Sequence, residues 1–97
     1  MDIIDAINNR NTITFTYDGH SRVVIPAAYG SHISTGNKVL RAYQIGGTSS
    51  TRSVPLWDMF LVDKITNLHV NADDTFEDNP HGYVADDSHI DPIEAQL

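Results

Sequence analysis

The sequence predicts a small, mostly antiparallel β-barrel or strongly bent sheet, led by one short helix and followed by an acidic C-terminal arm. Three observations carry this. Thr12-Ile13-Thr14-Phe15-Thr16-Tyr17 alternates polar and apolar residues without a break, the period of a half-buried strand. Short apolar runs are separated by turn clusters at Asp18-Gly19, at residues 34–37 and at residues 46–51, as in hairpin-linked sheets. Helical spacing is confined to the first few residues. At 97 residues the chain is one domain,. A chain of this size buries only roughly 60–65% of the surface it exposes when unfolded, so its core is modest and association of copies would help it.

Taken in order, residues 2–9 read as a helix. Asp2 is the N-cap, Ile3, Ile4 and Ile7 face a core with Ala6 beside them, and Asn8-Asn9 end it with Arg10 at the negative end of the dipole,. Such a helix is too short to stand alone and must pack on the open end of a sheet. In the strand that follows, Ile13, Phe15 and Tyr17 point inward, and Asp18-Gly19 is a strong hairpin signal,. The return strand spans residues 21–27, with Val23 and Ile25 on one face and Arg22 and Val24 on the other. Pro26 places its end on an edge or terminates its pairing, and residues 29–33 begin a loop or a bent continuation. Residues 36–45 read as a central strand, bounded by flexible clusters and carrying an Arg41-Ala42-Tyr43 run. Residues 57–62 form the next strand. Asp63 caps a single helical turn, and residues 65–70 are the last short strand.

The character changes at Asn71. Residues 65–97 hold eight of the 13 acidic residues and no Lys or Arg, so the net charge of −7 belongs to the C-terminal third. The barrel region, residues 1–70, is close to neutral and remains open to an anionic ligand, although many-contact binding to duplex DNA is disfavoured. Residues 71–97 are expected to be an extended arm docked at Phe76 and Tyr83. A short helical turn is predicted over residues 92–97, with Asp91 as cap and Pro92 at its first position. The arm reads most simply as solubilising and edge-protecting. The other reading has it folded across a neighbouring subunit or over the basic pocket. There is no cysteine, hence no disulfide and no thiolate metal site,. No secretory signal and no run of ~20 apolar residues is visible. The expectation is a soluble, cytoplasmic protein.

The ordered set Ala6-Ile7, Ile13 to Tyr17, Arg22-Val23-Val24-Ile25-Pro26, Leu40-Arg41-Ala42-Tyr43 and Phe60-Leu61-Val62-Asp63-Lys64-Ile65 resembles the WYL domain, an SH3-like or Sm-like small β-barrel. The likeness covers residues 3–70. The name-giving Trp-Tyr-Leu is here Lys38-Val39-Leu40, a basic residue of the last segment is Lys64 rather than arginine, and no winged helix precedes the domain. Phe76 and Gly82-Tyr83 match the trailing part of a group of short stand-alone relatives. The resemblance implies a ligand sensor for nucleotides or single-stranded nucleic acid.

The candidate ligand-binding residues are Arg22, Arg41 and Arg52 for charge, and Tyr29, Tyr43 and Trp57 for stacking on a base,. Each also has a structural reading: Arg41 and Arg52 paired with Asp58 or the acidic arm, Tyr43 and Trp57 in the core. A one-residue slip of register moves Arg22 and Arg41 to the opposite face. The five histidines lack metal-ligand spacing, Asp73-Asp74 and Glu77-Asp78 lack the pattern of a calcium loop, and Gly46-Gly47 is no Walker loop,. No nucleophile–base pair or metal set stands out, so the expectation is a non-enzymatic, cofactor-free, homo-oligomeric binder of a nucleotide or short single strand. The alternative is a protein-interaction module using the barrel edge and the acidic arm.

Overall fold

The alternation and turn signals of the sequence become six antiparallel strands behind one helix in the computed structural model, which describes residues 2–49 and 53–97. The elements are α1 (Asp2–Asn9), β1 (Asn11–Tyr17), β2 (His20–His32), β3 (Lys38–Gly47), β4 (Leu56–Leu61), a 3-10 turn (Val62–Lys64), β5 (Thr66–Thr75) and β6 (Ile90–Gln96). In α1 the residues Ile3, Ala6 and Ile7 are buried, as the helical spacing predicts. The helix ends on Arg10, whose φ of 56° is the left-handed conformation that stops a helix, with its N–H donating to Ile7 O at 3.2 Å,. Asp18 and Gly19 both take positive φ, 51° and 76°, the geometry of a two-residue hairpin turn whose twist matches its strands.

The ladders run in the order β4-β3-β2-β1-β5. β2 is the spine. Along one side it pairs with β3, and along the other it pairs first with β1 and then with β6. β4 and β5 lie at opposite ends of the order yet are joined only by the turn at residues 62–65. That short link draws the two ends of the sheet toward each other and curls it. Phe60 of β4 therefore meets Phe15 and Tyr17 of β1 edge to face across the interior, at 5.1 and 5.0 Å between ring centroids. Leu61 N donates to the Tyr17 hydroxyl at 3.1 Å. Among the described residues β4 and β5 form no ladder, so the sheet is strongly bent but not closed into the predicted barrel. The chain leaves β4 in a 3-10 turn and re-enters the sheet already paired with β1, and among the described residues the outer edge of β4 pairs with no strand.

Ile3, Ile7, Ile13, Phe15, Val24, Leu40 and Phe60 fill the bend. Each side chain of this size contributes roughly 1.5–3 kcal/mol on full burial. α1 lies against β1, β2, β5 and β6 and covers the open side of this core.

Three expectations need correction. β2 does not end at Ala27 but runs on to His32, so residues 29–32 take the bent-continuation reading rather than the loop, and Pro26 is buried inside the strand. The register with β3 shifts between Pro26 and Ala28, and a bulge there tolerates a residue without a ladder N–H. The last strand before the acidic segment does not stop at Val70, since β5 runs on to Thr75. Residues 92–97 are not helical: residues 90–96 form β6, paired with residues 28–32 of β2. The local helix-start signal at Asp91-Pro92 loses to strand pairing, and register shifts in β6 absorb the proline. The segment between β5 and β6 makes contacts at Phe76 and at Tyr83. The Arg10 guanidinium lies 4.9 Å over the Phe76 ring and donates to Phe76 O, Glu77 O and Asn79 Oδ1. The Tyr83 hydroxyl donates to Leu97 O at 2.8 Å. Among the described residues no helix is long and apolar enough to cross a membrane.

Candidate functional site

Side chains alternate along β3 and β4, so each strand offers one row to the core and one row outward. The inward row includes Leu40, Ala42, Gln44 and Phe60, all fully buried. The outward row is set by register: Val39 opposite Leu61, Arg41 opposite Met59, and Tyr43 opposite Trp57. Such cross-strand neighbours interact directly, and the Tyr43 and Trp57 rings lie 5.1 Å apart at 53°.

The acidic segment crosses this outer face. Trp57 Nε1 donates to His81 O at 2.8 Å, and the Tyr83 ring stands 6.4 Å from the indole at 34°. Gly82 has φ +86°, and a Cβ there would come within 3.0 Å of Trp57 Nε1, so this close approach needs glycine. Arg41 Nε donates to Asp87 Oδ2 at 2.7 Å. Beyond it, Ile90 is buried with Ala28 and Val39 in a second, smaller core. Between the sheet face and residues 82–88 lies a cleft of about 280 Å³, lined chiefly by Arg41, Trp57, Tyr83, Val84 and Asp87.

Of the six residues proposed from the sequence, Arg41 and Trp57 converge in this cleft, and Tyr43 braces Trp57 from the neighbouring strand. Arg22 and Tyr29 are core residues, 3% and 5% exposed. Arg52 lies outside the described residues. Arg22 donates from Nη1 to Gln44 Oε1 and from Nη2 to Tyr17 O, both at 3.2 Å, and its guanidinium lies 5.6 Å from the Tyr17 and Phe60 ring centroids. Among the described residues its Nε has no partner. Tyr83, Val84 and Asp87 were not among the proposed residues. The spaced aromatics Phe76 and Tyr83 signal that this stretch packs on something, and one reading of the arm folds it over the basic pocket.

Asp87 is the best-held carboxylate of the cleft. Burial pushes its carboxyl up, but hydrogen bonds from Arg41 and from the backbone and ring of His89, with the charge of Arg41, outweigh burial and hold it below the usual 3.8. Burial pushes the Tyr83 phenol up, the Asp86 charge adds to this, and Arg10 opposes it. A carboxyl lowered in the folded state stabilises fully above its unfolded value and loses that contribution as pH falls through the folded value. The tie between Asp87 and Arg41 is therefore expected to persist at neutral pH and to weaken only below about 3.8. Trp57 is the only tryptophan, so its emission should shift toward that of exposed indole in this window. The shift should be absent from an Asp87→Asn variant.

Among the described residues no group of three or more His, Asp or Glu gathers as a metal site. The geometry instead offers an aromatic wall, a guanidinium and a carboxylate. No family model, no curated protein and no solved structure matches this chain.

Proposed function

We propose that the chain is a divergent WYL-like domain that binds a small planar anion, a nucleotide or the end of a short single strand, without turning it over. In this reading the bent sheet stands for the SH3/Sm-like barrel of that family. The observation that carries the proposal is the convergence of Arg41 and Trp57 with Tyr83 in one cleft. Stacking on an aromatic ring contributes about 1–3 kcal/mol per base. A guanidinium offers planar, paired donors to phosphate oxygens, and among the described residues only Nε of Arg41 is engaged, by Asp87. A volume near 280 Å³ lies just below the roughly 300–1,000 Å³ of small-molecule pockets, which suits one nucleotide rather than a polymer. A cytoplasmic setting and homo-oligomers belong to the same proposal.

A thermal-shift screen against mono-, di- and cyclic nucleotides and short oligonucleotides tests it. A ligand at 100 times its Kd should stabilise by about 2.7 kcal/mol, a rise in Tm of roughly 10–20 °C for a domain of this size, and Arg41→Ala should abolish the rise. The second reading, a protein-interaction module, draws support from the outer edge of β4, which pairs with no strand among the described residues, and from Ile33 and Val84, which are 55% and 76% exposed. No shift with any nucleotide, together with a stable protein partner in a pull-down, would replace the first reading by the second.

A further inference from the structure

The polar side of the cleft is already filled, and by the chain itself. Asp87 Oδ2 accepts from Arg41 Nε at 2.7 Å, while Oδ1 accepts from His89 N at 2.9 Å and faces the His89 ring at 3.3 Å. A carboxylate set against a guanidinium beside an indole stands where the anionic group of a stacked ligand would have to stand. The segment that carries it is anchored at both ends. Upstream, Arg10 clamps residues 76–79 through Phe76 O, Glu77 O and Asn79 Oδ1. Downstream, Ile90 is buried and β6 pairs with β2. Between these anchors the apolar hold is slight, since Val84 is 76% exposed. The ties to the sheet are polar: the Asp87–Arg41 ion pair, the Trp57–His81 hydrogen bond, the bond from the Tyr83 hydroxyl to Leu97 O, and the bonds between Asp86 and Gln96 of β6. A stretch held mainly by polar contacts between firm anchors opens at lower free energy than the core around it, and it can lift without being lost.

Resting on the nucleotide reading of the cleft, we infer that residues 82–88 form a built-in strap in which Asp87 is an intramolecular competitor for the anionic group received by Arg41. A tethered group competes at an effective concentration in the millimolar range or above. A bare anion below that range does not displace Asp87. An anion that also stacks on Trp57 does, because stacking adds binding that the strap does not supply. The strap thus makes the cleft select for a base and a phosphate together, and it keeps polyanions without accessible bases off Arg41. The acidic segment is in this sense part of the binding site rather than a solubilising tail.

The test uses adenosine 5′-monophosphate and inorganic phosphate as probes, with Trp57 emission and calorimetry as readouts, on the full chain and on Asp87→Asn. The substitution keeps the shape of the side chain and removes its charge. The nucleotide should bind Asp87→Asn about tenfold more tightly, a change of about 1.4 kcal/mol, and inorganic phosphate should bind measurably only to this variant. Tyr83→Phe gives a second, independent handle, since it loses the tether to Leu97 O and leaves Arg41 and Asp87 intact. It should tighten nucleotide binding a few-fold and decides the matter if circular dichroism shows Asp87→Asn unfolded. Equal affinities for the parent and both variants would overturn the strap while leaving the nucleotide site standing. Absence of binding to all three would remove the nucleotide reading and the strap with it.

Discussion

Phe60→Ala is expected to remove a large share of the stability of the fold. Phe60 is fully buried, stacked edge to face on Phe15 and Tyr17 and lying under the Arg22 guanidinium. Truncating a buried phenylalanine costs about 3–5 kcal/mol in lost transfer free energy and cavity. Here the cavity opens beside a buried guanidinium, so the residual site is polar and cannot collapse onto methyl groups. A domain of this size has about 5–15 kcal/mol in hand, and each kcal/mol moves its Tm by roughly 4–8 °C. The expected drop is therefore roughly 15–30 °C in a circular-dichroism melt. Phe60→Leu keeps most of the volume and should lose clearly less. A drop of under about 5 °C for the alanine variant would mean that β1 and β4 do not meet across the bend, and the curled sheet would have to be redrawn.

The same interior shows how much of the fold the residues announce. The helix, the first strand, its hairpin turn and the central position of β3 all follow from periodicity and turn chemistry. The burial of Arg22 was also within reach. A two-residue turn at Asp18-Gly19 pairs Tyr17 with His20 and hence Phe15 with Arg22. Residues directly opposite in an antiparallel pair project from the same face. Once Phe15 is inward, Arg22 must be inward too. Reading Arg22 as a ligand donor rested on its planar, always-charged guanidinium, and the register of the hairpin puts that group in the core instead.

Other features were not legible, for a different reason. Which faces Arg41 and Trp57 share depends on the β3–β4 register, and eight residues separate Gly47 from Leu56, so no two-residue hairpin sets it. Pairing of Arg41 with the acidic arm is one of the readings that the sequence offers, but the choice of Asp87, 46 positions away, leaves no period in an acidic stretch that lacks alternation. At Asp91-Pro92 the local signal pointed to a helix, while the partner that makes it a strand, β2, lies some sixty residues earlier in the chain. Local propensity is a weak guide where long-range pairing decides.

That pairing leads to the second large effect. Gly30 lies in β2 opposite Ile93 of β6. A Cβ built on it would lie 2.2 Å from Pro92 O, 2.6 Å from Ile90 Cγ2 and 3.1 Å from Ile93 Cα. A carbonyl oxygen and a Cα are backbone and cannot rotate aside, so Gly30→Ala can be accommodated only by moving β6 off β2. Overpacking of this kind costs about 1–3 kcal/mol where the surroundings can yield, and here the yielding element is a whole strand. The contacts of Ile90 with Ala28 and Val39 go with it, as does the bond from Leu97 N to Ala27 O at 2.9 Å. The anchor of Tyr83 on Leu97 is then lost, and residues 82–88 are freed from the Trp57 face. Hydrogen exchange should show amides 90–96 unprotected while those of β1 and the first half of β2 stay protected, and Trp57 emission should shift to the red. Gly36→Ala provides the contrast. Its Cβ meets no atom within 4 Å, although φ is +75°, so it carries backbone strain alone and should leave residues 90–96 protected. Equal protection of β6 in both variants would show that β6 does not sit on Gly30, and the strap would then lack its downstream anchor.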